Sequence, residues 1–240
     1  MWLIAFSLFE FAAIRSSVLT LQYDNLGKNE YFSISCGGKN VLIDISDGSY
    51  GKMRTASMEA TSKGYCELDA FVLTHLHNRH VSSLSKLSSA YMLRSVYIPK
   101  PITASEKEIA KGIEEVMLGE EIPVFYYAAD EGIDALGVKL EMEREYLKRS
   151  THPVVGITFS GKTELEYFGS SYSEIGEITS CENVIFGIHG PVCKEEFSFD
   201  ASECSFASFA GDDLYSLCSI TNLDDTKIMK SPEKLVFKYN

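Results

Sequence analysis

A succession of short apolar runs, each closed by a turn signal, dominates this chain: SVLTLQY, YFSIS, KNVLIDI, LDAFVLTH, RSVYIPK, VVGITFS, TELEYFG, NVIFGIHG and KLVFKYN. Their lengths and their β-branched and aromatic content predict strands. Short strands cannot bury their apolar faces singly, so they must form sheets that pack on one another or on helices. Helices are expected between them at YGKMRTASMEATSKGY, HVSSLSKLSSAYML and SEKEIAKGIEEVML, with another beginning in SSYSEIGEI. In the third of these, Ser105 with Glu108 reads as a capping box, followed by Ile109, Ile113 and Val116 at helical spacing. GKT at 161–163 lacks the preceding glycine of a phosphate-binding loop and reads as a hairpin turn. No internal repeat or low-complexity linker breaks the order. The 240 residues therefore read as one domain, two sheets packed face to face with helices outside.

A hydrophobic fraction of 45% and a charged fraction of 23% are those of an ordinary folded protein. The net charge of −12 argues against a general nucleic-acid coat protein, which needs a basic footprint. The charge is unevenly placed. From His75 to Ser105 there is no acid, while Arg79, Lys86, Arg94 and Lys100 are present; from Glu106 to Glu145 acids dominate, which reads as a solvated acidic helix. The six cysteines, Cys36, Cys66, Cys181, Cys193, Cys204 and Cys218, contain no C-x-x-C pair. They read as buried thiols in a reducing, cytoplasmic setting rather than as a disulfide framework. The opening MWLIAFSLFEFAAI is too short for a spanning helix and is interrupted by Glu10. It reads as a core strand or helix, or as the tail of a membrane segment from a longer parent; no membrane span is expected within the chain.

Three of the five histidines fall in the seven residues THLHNRH, at 74–80, directly after the apolar AFVL. His75 and His77 flank one residue at a strand mouth, where extended geometry turns alternate side chains to one side. Two imidazoles on one side are half of a zinc site. His152, held extended by Pro153, precedes the run VVGITFS, and His189 ends NVIFGI before Gly190-Pro191. All five histidines sit at strand exits, where catalytic groups collect on rigid scaffolds, so a shared metal site is the more economical reading.

In these motifs the sequence resembles the metallo-β-lactamase superfamily, and within it the hydrolase-like domain of ComEC-type DNA-uptake (competence) proteins. The superfamily motif H-x-H-x-D-H follows a strand, and THLHNRH aligns with it at His75, His77, Arg79 and His80. HPVVGITFSGKTELEYFGS resembles the next element, a histidine and two strands ending in Gly-Asp, with His152 kept and Gly169-Ser170 in place of Gly-Asp. IFGIHGP resembles the closing strand and histidine, His189. NVLIDISDG is similar to the family's LID-x-G strand through Asp44, and YDNLGKNE to D-V-G-Q-G-D through Asp24. The resemblance spans roughly residues 18 to 195. It implies an α+β fold, the four-layer αββα sandwich, and a metal-dependent hydrolase.

The departures carry as much as the matches. The resemblance implies that His75, His77 and His152 hold one metal ion. It puts Arg79, His80 and His189 at a second, with Ser170 where a bridging aspartate would touch both. The first set keeps three imidazoles; the second loses both carboxylates. A guanidinium is protonated at any relevant pH, and at about 4 Å from a divalent cation the repulsion is roughly 8 kcal/mol at an effective dielectric near 20. The expectation is therefore one zinc ion, if any, with Arg79 and Ser170 contacting an anionic ligand and His80 or His189 serving as base. One hypothesis is a mononuclear zinc hydrolase of phosphodiesters or esters. The other is a non-catalytic binding or scaffold domain, whose partner is an anionic small molecule or single-stranded nucleic acid.

Other candidates read as structural. Cys181 and Cys193 flank the His189 strand, where either could replace a lost carboxylate, but buried thiols are the plainer reading. Asp212-Asp213 and Asp224-Asp225 read as surface or cap residues, Tyr126-Tyr127 as a core strand, and Asp44 as a brace for the histidine loop.

Overall fold

The computed structural model describes residues 19–25, 30–36, 39–44, 67–76, 78, 84–85, 87–88, 92–128, 133–135, 138–147, 150–159, 162–168, 182–187, 197–202, 204–209, 218–224, 227–230, 232 and 234–239. Every apolar run named above contributes a strand. The first sheet holds β1 (Leu19–Asn25), β2 (Glu30–Cys36), β3 (Lys39–Asp44), β5 (Ala70–Leu73), β7 (Val96–Pro99), β8 (Val124–Tyr127) and β18 (Lys234–Tyr239), in the order β18-β1-β2-β3-β5-β7-β8. The second holds β9 (Ile133–Ala135), β10 (Val138–Leu147), β11 (Ser150–Phe159), β12 (Lys162–Phe168), β13 (Asn183–Phe186), β15 (Phe206–Phe209) and β17 (Ile228–Lys230), in the order β17-β15-β13-β12-β11-β10-β9. Two small parallel ladders pair β4 (Glu67–Leu68) with β6 (Met92–Leu93) and β14 (Phe197–Asp200) with β16 (Cys218–Thr221).

Each large sheet is half meander and half parallel. β18, β1, β2 and β3 run antiparallel, then β3, β5, β7 and β8 run parallel. Likewise β9 to β12 run antiparallel, with Lys162 and Thr163 of the GKT read as a turn already paired in β12, and β12, β13, β15 and β17 run parallel. The central parallel strands β5 (AFVL) and β13 (NVIF) are buried at every position. Their unbroken apolar runs, without alternation, are what burial on both faces demands.

One face of each sheet meets the other sheet. Leu21, Tyr23, Phe32, Ile43 and Val72 from the first share a core with Leu165, Tyr167 and Ile185 from the second. On the outer face of the first sheet, Leu42, Phe71, Leu73, Val96 and Ile98 pack against the helix α1 (Ala104–Gly119) through Ile109, Ala110, Ile113 and Met117. Ile113 and Met117 are fully buried, a removal from water worth about 1.5–3 kcal/mol for each such side chain. The arrangement is an α+β sandwich, as expected.

Three local readings need correction. The capping box of α1 is Thr103 with Glu106, two residues earlier than Ser105 with Glu108. Thr103 fits the same S/T-x-x-E pattern, and its choice lets the Glu106 carboxylate accept from the backbone N–H groups of both Ile102 and Thr103. The stretch HVSSLSKLSSAYML is helical at Leu84, Ser85, Leu87 and Ser88, but Met92–Leu93 is strand β6. The acidic stretch from Glu106 to Glu145 is one helix and then strands β8 to β10, because VKLEMEREYL alternates in the period of a strand for most of its length. Residues 50–65, 170–178 and the N-terminal apolar run, where other helices or core segments are expected, lie outside the described residues.

Candidate metal centre

Three ring contacts between the sheets, at two levels, fix their relative direction. Phe206, level with Asn183 at the start of β13, meets Phe237 of β18, which is level with Leu21, Ile34, Val41 and Ala70 at the start of β5. Two residues further along β12, Tyr167 meets Tyr23 and Phe32, which are level with Ile43 and Val72. Both steps run the same way, so β5 points with β12 and β13, and all three chains leave the sandwich at one edge. β11 is antiparallel to β12 and enters there: Val154 is level with Phe168, and His152 lies two residues beyond.

This edge is where the sequence places its candidates. His75 follows the end of β5 by two residues, Ser170 follows the end of β12 by two, and His189 follows the end of β13 by three. His152 lies inside β11, not ahead of it, at the level of Glu145 in β10. Pro153 is paired with Arg144 of β10. His77, Arg79, His80, Ser170 and His189 lie outside the described residues, as do Cys181 and Cys193. Among the described residues no three His, Cys, Asp or Glu side chains form a group able to hold a metal ion.

His75 is the candidate whose side chain is placed. It is fully buried, and its Nδ1 shares a hydrogen bond of 2.9 Å with Oγ1 of Thr74, itself 1% exposed. The peptide just before is anchored as well: the Tyr127 hydroxyl donates to the carbonyl oxygen of Leu73 at 2.6 Å. Leu76 continues the turn as a buried residue of the outer core, with Leu84 and Leu87 beside it. Tyr127 is thus part of the core, as a strand reading of Tyr126-Tyr127 requires, whereas Tyr126 is exposed and donates to Glu114 Oε1 at 2.7 Å.

The last row of the first sheet before this edge runs Lys234, Asp24, Tyr31, Asp44 and Leu73. Asp44 therefore stands beside the exit of β5, where a brace for the histidine loop would be. Asp24 is buried, accepts a hydrogen bond from the Gln22 amide, and faces the Lys234 ammonium at 4.0 Å. Sequence reasoning missed Gln22, Lys234 and Thr74, and the bond to Leu73 that Tyr127, read as core, makes. Thr74 adjoins His75 and was there to be noticed; Tyr127 is 54 residues from its partner and nothing local marks it. Asp224 is exposed, in line with a surface reading, and Cys36 and Cys204 form no disulfide. No helix among the described residues is long and apolar enough to cross a membrane.

The fold so defined is that of the metallo-β-lactamases. The chain is similar to the metallo-beta-lactamase fold protein YhfI from Bacillus subtilis, with a TM-score of 0.54 and 12% identity over 92% of this chain and all of that one. It is similar also to a diphosphatase from the PhnP family, with a TM-score of 0.53 and 13% identity over 92% of this chain and 98% of that one. No protein-family model matches the sequence, and no curated protein matches it.

Proposed function

We propose that the 240 residues form one metallo-β-lactamase-like domain that binds a single zinc ion through His75, His77 and His152, and that its second metal site is lost. The observation that supports this reading is the common edge at which β5, β12 and β13 leave the sandwich and β11 enters. The donor set fits the ion. Three neutral imidazoles with an open fourth position are a sound zinc arrangement, and the buried His75 already has a hydroxyl partner for Nδ1, as outer-shell support requires. A second ion is not expected, because in the motif resemblance Arg79 and Ser170 replace the two carboxylates it needs.

Zinc in such a site supplies Lewis-acid chemistry and acidifies a water to near neutrality. Around it the chain's own residues bind and orient. Arg79 and Ser170 receive a phosphate or carboxylate, and His80 or His189 takes the proton from the attacking water. The substrate class is a phosphodiester or ester, in an anionic small molecule or single-stranded nucleic acid. One structural neighbour is named a diphosphatase, which favours a phosphate-bearing substrate. Cytoplasmic residence suits the scattered thiols.

The same replacements favour a second reading: a domain related to ComEC-type DNA-uptake proteins that binds and does not turn over, since both motif carboxylates are replaced, by Arg79 and Ser170. Zinc content of protein purified without added metal, with phosphodiesterase and esterase assays, separates the two. One zinc per chain, with turnover abolished in His77→Ala, establishes the enzyme. One zinc without turnover establishes the binding domain. Zinc-free protein that takes up none on addition refutes both metal readings.

A further inference from the structure

Thr74 Oγ1 and His75 Nδ1 lie 2.9 Å apart in a fully buried pair. A neutral imidazole carries one N–H, and the partner of one ring nitrogen decides which nitrogen holds it. A threonine hydroxyl can donate or accept. If it donates to Nδ1, the ring proton sits on Nε2 and that nitrogen has no lone pair to offer. If it accepts from Nδ1–H, Nε2 presents a lone pair to a metal. The main chain entering this pair is held too, by the Tyr127 hydroxyl on the Leu73 carbonyl. The His75 ring and the Leu73–Thr74 peptide ahead of it are thus each held by a hydroxyl.

We infer that Thr74 is a positioning residue that holds His75 in its Nδ1–H tautomer, so that Nε2 is aimed at the metal ion; this rests on the one-zinc reading above. Burial makes the device effective, because at zero exposure bulk water does not stand in for a missing hydroxyl. Serine preserves the acceptor and valine removes it with little change of shape.

The test reads the imidazole directly. Nitrogen-15 spectra of zinc-free protein at about pH 8, where an ordinary imidazole is neutral, with His75 assigned through His75→Gln, are expected to show Nδ1–H in the wild type and in Thr74→Ser, and its loss in Thr74→Val. Chelator competition is expected to give Thr74→Ser the wild-type zinc affinity and Thr74→Val an affinity about 10- to 100-fold weaker. Thermal unfolding of the zinc-free proteins confirms that the variants fold; should the valine variant not fold, the wild-type tautomer and the serine variant decide. An Nε2–H tautomer in the wild type, or equal zinc affinity in folded Thr74→Val, overturns the inference. Failure of the wild type to bind zinc overturns the one-zinc reading instead, and the nitrogen spectra still judge the tautomer.

Discussion

Tyr127, at the end of an edge strand, reaches past β7 to donate its hydroxyl proton to the carbonyl oxygen of Leu73, 2.6 Å away at the end of a central strand. Both residues are buried, so the bond is not exchanged for one to water. Tyr127→Phe leaves the packing and removes the donor, and a destabilisation of about 1–2 kcal/mol is expected in chemical denaturation. Because Leu73 directly precedes Thr74 and His75, zinc affinity is expected to fall with it, and unchanged stability and affinity would show the tether to be idle.

The strands were legible because burial writes itself into short apolar runs, and of the histidines His75 follows a strand as read whereas His152 lies inside one. What escaped did so for physical reasons. β4 and β6 are two residues each, too short to carry a period. β10 is rich in glutamate and reads as charged surface unless its alternation is followed. The common edge for His75 and His152 depends on Tyr167 meeting Tyr23 and Phe32 across the sheets, and no local pattern holds a contact of that range. The capping box lay two residues from its expected place because Thr103 and Ser105 both offer a hydroxyl three residues before a glutamate.

Arg79 and Ser170 are expected to be the whole barrier to a second metal ion. The double replacement Arg79→Asp with Ser170→Asp removes one positive charge and restores the two carboxylates of the motif that the sequence resembles. Zinc measured by elemental analysis is expected to rise from one to two per chain in the double variant. A count that stays at one in a folded double variant would mean that His80 and His189 do not meet.

Gly187 follows β13 on the way to His189, and a Cβ placed there would overlap the ring and hydroxyl of Tyr167 from the neighbouring strand. Tyr167 is itself fully buried and has no open space to retreat into. Gly187→Ala is expected to cost about 1–3 kcal/mol through overpacking. In a Tyr167→Ala background, itself less stable, the same alanine is expected to cost little more, and the difference between the two costs measures the coupling. An equal cost in both backgrounds would place the strain elsewhere.

The C-terminus of α1 closes with Ile122 N–H on the Met117 carbonyl at 2.9 Å and Glu121 N–H on that of Leu118 at 3.2 Å. This pairing needs a left-handed residue between them, and Glu121 supplies it at φ 58. A side chain in that region is strained where glycine is not. Glu121→Gly is expected to raise stability by about 0.5–1 kcal/mol. Thr103→Ala at the other end removes the capping hydroxyl from the Glu106 N–H and is expected to lower it by about 1 kcal/mol. Denaturant midpoints of the two variants should move in opposite directions.

Tyr126 lies on the outer side of β8 against α1, and its hydroxyl donates to Glu114 at 2.7 Å. Partial burial first, then the hydrogen bond and charge of Glu114, push its ionisation up to about 12 from the usual 10.0. A raised folded value means that this phenol contributes to stability below its unfolded pKa and loses that contribution as pH rises through the folded one. The window is therefore from about pH 10 to about pH 12. Across it the wild type is expected to lose stability relative to Tyr126→Phe, which has no proton to release. Below pH 9 or so the difference between the two is expected to be flat. Tyrosinate absorbance should rise in one component fewer near pH 12 in the variant, and a gap between the two proteins that stays constant through the window would mean that Glu114 does not hold the proton in place.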